Sequence, residues 1–201
     1  MSGQIALPLD WPTEAVDDRL ITGAPNAEAL AHLAAWKDWP VKATLLTGPR
    51  RSGRSLIAHQ FVERTGGRLF DDAERHDEEA LFHAWNRAQE EGRPLLIVAS
   101  EAPPHWEVAL PDLSTRLNAT PVARIEAPDD AMMAALFELH FADRGLFLPP
   151  EAQRYLVERA SRGYYEAERL VEQIDRFAIA NRARLTVPTI RRALEQRGEA
   201  A

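Results

Sequence analysis

The sequence predicts an α/β protein, a parallel sheet built around a phosphate-binding loop, followed by an all-α C-terminal subdomain. Three observations carry that expectation. The strand-like run Ala43-Thr44-Leu45-Leu46-Thr47 leads into Gly48-Pro49-Arg50-Arg51-Ser52-Gly53-Arg54-Ser55 and then into a helix-like run from Ser55 to Val62. Leu95-Leu96-Ile97-Val98-Ala99 is continuous, apolar and bounded by breakers, as a strand buried on both faces should be. From Pro128 onward, Pro-Asp, Pro-Glu and Val-Pro-Thr openings, with Gly145 and Gly163 between them, mark four helices over 129–143, 150–160, 164–182 and 188–196.

The central loop can hold an anion for two reasons. Glycines at positions 48 and 53 let the backbone wrap a polyphosphate with its N–H groups pointing inward, and the helix starting near Ser55 adds the positive end of its dipole. In the pattern G-x-x-x-x-G-K-[ST], Ser55 stands where a hydroxyl binds Mg²⁺, but the lysine position holds Arg54. A planar guanidinium can clamp phosphate oxygens without reproducing a lysine's point contact, so binding should survive better than turnover. The plainer alternative is a Gly/Ser/Arg surface loop before an ordinary helix. The order of strand, loop and helix favours the phosphate reading.

Composition narrows the function classes. A chain of 201 residues, 45% of them hydrophobic, holds one sizeable domain, or a core with a small satellite. The absence of cysteine removes disulfides and thiolate zinc sites. No apolar run of membrane-spanning length occurs, and the N-terminus lacks a signal pattern, so a soluble, cytoplasmic protein is expected. A net charge of −7 argues against a general polyanion-binding surface, leaving Arg50, Arg51 and Arg54 as a local basic cluster. The six histidines show no metal-ligand spacing, and the five tryptophans suit packing better than base stacking.

In chain order, residues 1–10 form an N-terminal peptide, 11–127 the α/β core and 128–201 the helical subdomain. Gln4-Ile5-Ala6-Leu7-Pro8-Leu9 suits an extended segment that fills a groove: Pro8 blocks helix, Leu7 and Leu9 are apolar, and Gln4 both donates and accepts. The alternative is a leader with chance leucines. Ala27 to Trp36 reads as a helix ended by Trp39-Pro40, and the loop's helix runs to about Arg64, where Gly66-Gly67 stops it. Arg68-Leu69-Phe70 then leads to Asp71-Asp72. Paired carboxylates opposite a phosphate loop can hold Mg²⁺ and orient an attacking water; alternatively they form a polar turn and cap the helix of 76–91. Ser100, closing the strand 95–99, is a candidate γ-phosphate sensor or a turn residue. Leu110-Pro111-Asp112-Leu113-Ser114-Thr115-Arg116-Leu117 and a short strand at 122–126 complete the core.

The peptide at Gln4–Leu9, the Asn26-containing segment before the first strand, the G-x-x-x-x-G-R-S loop, the L-P-D-L-S-T-R-L segment and a helical lid ending near Leu185-Thr186-Val187-Pro188 together resemble the Hda family. These are DnaA-related AAA+ regulators of replication initiation. The resemblance spans nearly the whole chain. It implies an AAA+ core with a lid, clamp contacts from Gln4, Leu7, Pro8 and Leu9, and binding of ADP (or ATP) with Mg²⁺ by Gly48, Pro49, Arg50, Arg51, Ser52, Gly53, Arg54 and Ser55. It further implies that Arg116 is an arginine finger reaching a neighbouring subunit's nucleotide, that Asp71 and Ser55 sit at the metal, and that a lid arginine, nearest Arg169, senses the nucleotide. The partners implied are the polymerase sliding clamp (beta subunit) and DnaA. No DNA-binding helix-turn-helix domain is expected after the lid.

Against the family pattern, a strand and helix are missing between the phosphate loop and the acidic pair, which leaves a sheet of four strands rather than five. An exposed edge on that smaller sheet suggests a homodimer, with light scattering at high concentration as its check. Three readings follow: an adaptor acting on DnaA, a self-contained P-loop hydrolase, and a clamp-tethered scaffold without nucleotide function. For Arg116, the alternative to a finger is an ion pair with Asp112 at helical spacing.

Overall fold

The computed structural model describes residues 20–198; the peptide containing Gln4, Leu7, Pro8 and Leu9 lies outside them. Four parallel strands form one sheet: β1 (Ala43–Thr47), β2 (Arg68–Phe70), β3 (Leu95–Val98) and β4 (Val122–Arg124), in the order β2-β3-β1-β4. Around them lie α1 (Ala24–Ala34), α2 (Arg54–Thr65), α3 (Glu78–Glu91) and α4 (Pro111–Asn118). The lid comprises α5 (Asp130–Ala142), α6 (Pro150–Val157), α7 (Tyr164–Asn181) and α8 (Val187–Gly198). The shortened sheet is therefore real: α2 alone, with a two-residue link, separates the phosphate loop from β2.

Strand alternation divides the core. Leu46 of β1 and Leu96 and Val98 of β3 face one side, with Leu30, Ile57, Phe61 and the lid. Ala43, Leu45, Leu95 and Ile97 face the other, with Leu81, Ala84, Leu113 and Leu117 of α3 and α4. Successive strand residues point to opposite faces, so a sheet covered on both sides needs the unbroken apolar runs seen in β1 and β3. The first cluster does not stop at the sheet. It continues through Met132, Phe137 and Phe141 of α5 into Leu170, Val171 and Ile174 of α7 and Ile190 of α8.

One polar group of this core, the Thr44 hydroxyl, is fully paired. Thr44 Oγ1 donates to the Pro121 carbonyl at 2.9 Å, so its lone pair receives His32 Nε2 at 2.8 Å, which fixes the Nε2–H tautomer. The His32 ring stacks on Trp39, and Trp39 on Phe61. Burial pushes His32 below the ordinary imidazole value; it does the same to His140 of α5, with Glu168 partly opposing it there. The folded chain thus holds fewer protons than the unfolded one in acid. Stability from these two neutral rings is present above pH 6.5 and is lost as pH falls below it. The variant His32→Gln/His140→Gln is expected to lose less urea stability than the parent between about pH 7 and pH 5; an equal loss would show that other groups dominate the acid limb.

Two local expectations change. The helix expected over 76–91 begins at Glu78, and its cap is Asp77, whose carboxylate accepts from the Ala80 amide at 2.9 Å. Asp71 and Asp72 precede a 3-10 turn instead, because Asp72 adopts the left-handed conformation (φ 49°) and redirects the chain. No helix among the described residues is long and apolar enough to cross a membrane.

Candidate functional site

The carboxyl ends of the parallel strands are where an open α/β sheet offers a crevice. At the end of β1 the chain turns through Gly48 (φ +152°), where a Cβ would meet the Ile125 Cβ and carbonyl oxygen at 2.8 Å each. Only glycine lets the loop cross the end of β4 this closely. Gly53 (φ +85°) then opens α2, whose first-turn amides face the loop. The hydroxyls of Thr47 and Ser52 are buried with no hydrogen-bond partner among the described residues. Unpaired buried hydroxyls at the positive end of a helix fit a ligand rich in acceptors.

A cleft of about 380 Å³ opens beside the loop. Its apolar wall includes Leu20, Ile21, Leu56, Met132 and Leu136; its polar wall carries Arg51, Ser52, His140, Arg144 and Glu168. The volume and the division into halves suit a base and its phosphates. Asn26 sets one rim: its Oδ1 accepts from the Gly23 amide at 2.9 Å and its Nδ2 donates to the Ile21 carbonyl at 2.8 Å. Tyr164 sets another, donating to the Glu126 carbonyl at 3.1 Å, and burial beside Asp129 and Glu126 raises its phenol to about 12.

The expected site residues separate into groups. Arg54, at the lysine position, donates to the Ala99 carbonyl at the end of β3. Arg50 lies over the Tyr165 ring, and Arg51 is paired with Glu168 of α7. Ser55 is exposed on the first turn of α2. Asp71 and Asp72 follow β2, outside the cleft lining: an Asp71 carboxylate oxygen accepts the Asp72 amide at 3.0 Å, and Asp72 faces Arg75 at 3.7 Å. Ser100 is exposed at the end of β3, and its amide donates to the Glu74 carboxylate. No group of three or more His, Asp or Glu residues that could hold a metal occurs among the described residues.

Arg169 stacks over Tyr165 at 5.8 Å and lines a neighbouring groove. The residue of this turn that pairs with a loop guanidinium through its carboxylate is Glu168, which was not among the expected site residues. The helical spacing of Tyr164, Ala167, Val171 and Ile174, all buried, carried the signal, since position 168 lies four residues after Tyr164 and three before Val171.

Arg116 is elsewhere, on α4 against α3. Its guanidinium lies 4.4 Å from the Phe82 ring centroid and 5.4 Å from that of Trp85. Nε donates to Asn86 Oδ1 at 3.0 Å, and Nη1 to the main-chain carbonyl of Asp112 at 3.1 Å. The contact with Asp112 is thus to its backbone and not to its carboxylate.

Comparison with solved structures finds domain III of the replication initiation protein DnaA from Thermotoga maritima, with a TM-score of 0.71 at 13% identity, over 88% of this chain and 94% of that one. A family model described as the Hda lid domain matches residues 129–194. The C-terminal helices thus match the Hda lid, and they stand on a core with the fold of DnaA domain III. The RuvB Holliday junction branch migration motor of Thermotoga maritima also matches, with a TM-score of 0.62 at 15% identity, covering 83% of this chain and 66% of RuvB. The replication initiator DnaA bound to AMPPCP and single-stranded DNA matches with a TM-score of 0.59 at 14% identity, over 78% of this chain and 63% of that one. At such identities these structures show the AAA+ fold alone, and the likeness to Hda lies in residues 129–194.

Proposed function

We propose that this Hda-like chain is a regulatory adaptor, tethered to the sliding clamp through Gln4, Leu7, Pro8 and Leu9, that presents Arg116 to ATP-loaded DnaA and stimulates hydrolysis there. The observation that carries the reading is an Hda-type lid on a DnaA-like core, together with an arginine on α4 that lines none of its own chain's cleft. An arginine useful in trans has to point away from its own nucleotide site. Arg116 has five N–H donors and gives single hydrogen bonds to Asn86 and Asp112.

In this reading the cleft holds ADP or ATP. The amides of Gly48 to Ser55 and the Arg51 guanidinium would hold the phosphates, and Leu20, Ile21 and Met132 the base. A bound nucleotide supplies the phosphate charge that the loop is shaped to receive. Ser55 is the residue that would touch Mg²⁺. Hydrolysis in cis is disfavoured, because Asp71 and Asp72 bind within their own turn and Arg54 is turned to the Ala99 carbonyl. The same two contacts favour, as a second reading, a clamp-tethered scaffold that binds no nucleotide.

The test is hydrolysis of DnaA-bound ATP on clamp-loaded DNA. Addition of the intact chain should stimulate it, and Gln4→Ala/Leu7→Ala should lose both clamp binding and stimulation. Clamp binding without stimulation by the intact chain would leave the scaffold; stimulation unaffected by the double variant would remove the tether.

A further inference from the structure

Two consecutive arginines of the phosphate loop are held by one face of the lid. Arg51 donates from Nε and Nη2 to the two carboxylate oxygens of Glu168, at 2.7 and 2.8 Å. Arg50 lies with its guanidinium 4.6 Å from the Tyr165 ring centroid. Tyr165 and Glu168 are three residues apart on α7, so they share a helix face, and the neighbouring arginines meet it together. The Arg51–Glu168 pair joins residues 117 apart in sequence, and both partners line the polar wall of the cleft.

The loop's backbone agrees with this clasp. Arg51 has φ +67°, a left-handed conformation that a non-glycine residue holds only where its surroundings fix it. A side-on, two-point carboxylate pair is the strongest of the common geometries for fixing a guanidinium. Yet Glu168 has the wrong sign for a wall of a phosphate site. A carboxylate and a polyphosphate recognise the same fork of N–H donors, and both cannot have it. Ser52 stands beside the pair with its hydroxyl buried and unpartnered, so the clasp takes the cation and leaves a neighbouring donor unused.

From this geometry we infer that Glu168 is an internal competitor for the phosphate position. It is a latch that holds the lid on the loop through Arg51 and that a nucleoside diphosphate must displace. The inference rests on the nucleotide-binding reading of the cleft. It makes removal of the two partners act in opposite directions on binding: Glu168→Gln frees the guanidinium for phosphate, whereas Arg51→Gln removes the guanidinium itself. An ion pair that only shaped the cleft would weaken binding in both variants.

The experiment uses the full chain, with titration by a fluorescent ADP analogue and amide hydrogen exchange over α7 in nucleotide-free buffer. Glu168 is 29% and Arg51 59% exposed, so both substitutions leave the buried core unaltered. Glu168→Gln should bind the analogue about fivefold more tightly and Arg51→Gln about fivefold more weakly, the range of a well-formed exposed pair. Both should exchange faster in the first turns of α7. Equal or weaker binding by Glu168→Gln, with the parent still binding, overturns the latch and leaves the nucleotide reading standing. Unchanged exchange in α7 of both variants also overturns it. Failure of the parent and of Glu168→Gln alike to bind removes both the latch and the nucleotide reading.

Discussion

Arg116→Ala is expected to abolish stimulation of ATP hydrolysis in DnaA, a loss of about a thousandfold or more, with the fold retained. The charge that develops on a transferring phosphoryl group is spread over several oxygens, and a guanidinium brought in by a second protein neutralises it at the moment it forms. The substitution leaves α4 in place, because its inner face is made by Leu113 and Leu117, both buried in the core. Arg116→Lys should recover little, since an ammonium on a flexible stem offers neither the planar fork nor the stacking on Phe82 and Trp85. Single-turnover hydrolysis of DnaA-bound ATP on clamp-loaded DNA is the check, with clamp binding measured in parallel. Full stimulation by the alanine variant would return Arg116 to a surface contact of α3.

Phe137→Ala is expected to destabilise the whole protein by about 3–5 kcal/mol, the range for removing a fully buried aromatic ring. Phe137 is 0% exposed and belongs to the cluster that runs from the sheet through α5 into α7 and α8. Because that apolar cluster is continuous from the sheet into the lid helices, lid and core should unfold together. Urea denaturation followed by both tryptophan fluorescence and far-ultraviolet dichroism should give one coincident transition, shifted down by the substitution. Two separated transitions, with only the later or earlier one shifted, would show that the lid melts on its own.

The fold was legible where local pattern and burial agree. The strand, loop and helix around Gly48–Ser55, the strand at Leu95–Val98 and all four lid helices come within a few residues of their expected limits, since breakers and apolar spacing act over a turn or two. The shortened sheet was legible from the short span between the phosphate loop and Asp71, set against the family pattern. What escaped was direction. Nothing within ten residues of Arg54 says that its side chain turns to the Ala99 carbonyl, and nothing near Asp71 says that the carboxylate folds into its own turn. Glu168 was missed for a related reason. A search for a cation to meet phosphate favours Arg169, whereas the helix face, set by Tyr164, Ala167 and Val171, turns the glutamate toward the loop. The clamp-type peptide at Gln4–Leu9 lies outside the described residues and rests on its sequence.

The aromatic seat of Arg116 also bears on the entropy of association. A free arginine side chain carries about 2 kcal/mol of rotamer entropy, much of which is lost when a partner immobilises it. Resting on Phe82 and Trp85 and tied through Nε to Asn86, this side chain has already given up part of that freedom in the unbound protein. Trp85 is itself fixed, its Nε1 donating to Thr120 Oγ1 at 3.0 Å, and that hydroxyl donates to the Arg116 carbonyl at 2.8 Å. Less ordering is then left for the encounter, so a short-lived contact between two proteins retains more of its intrinsic strength.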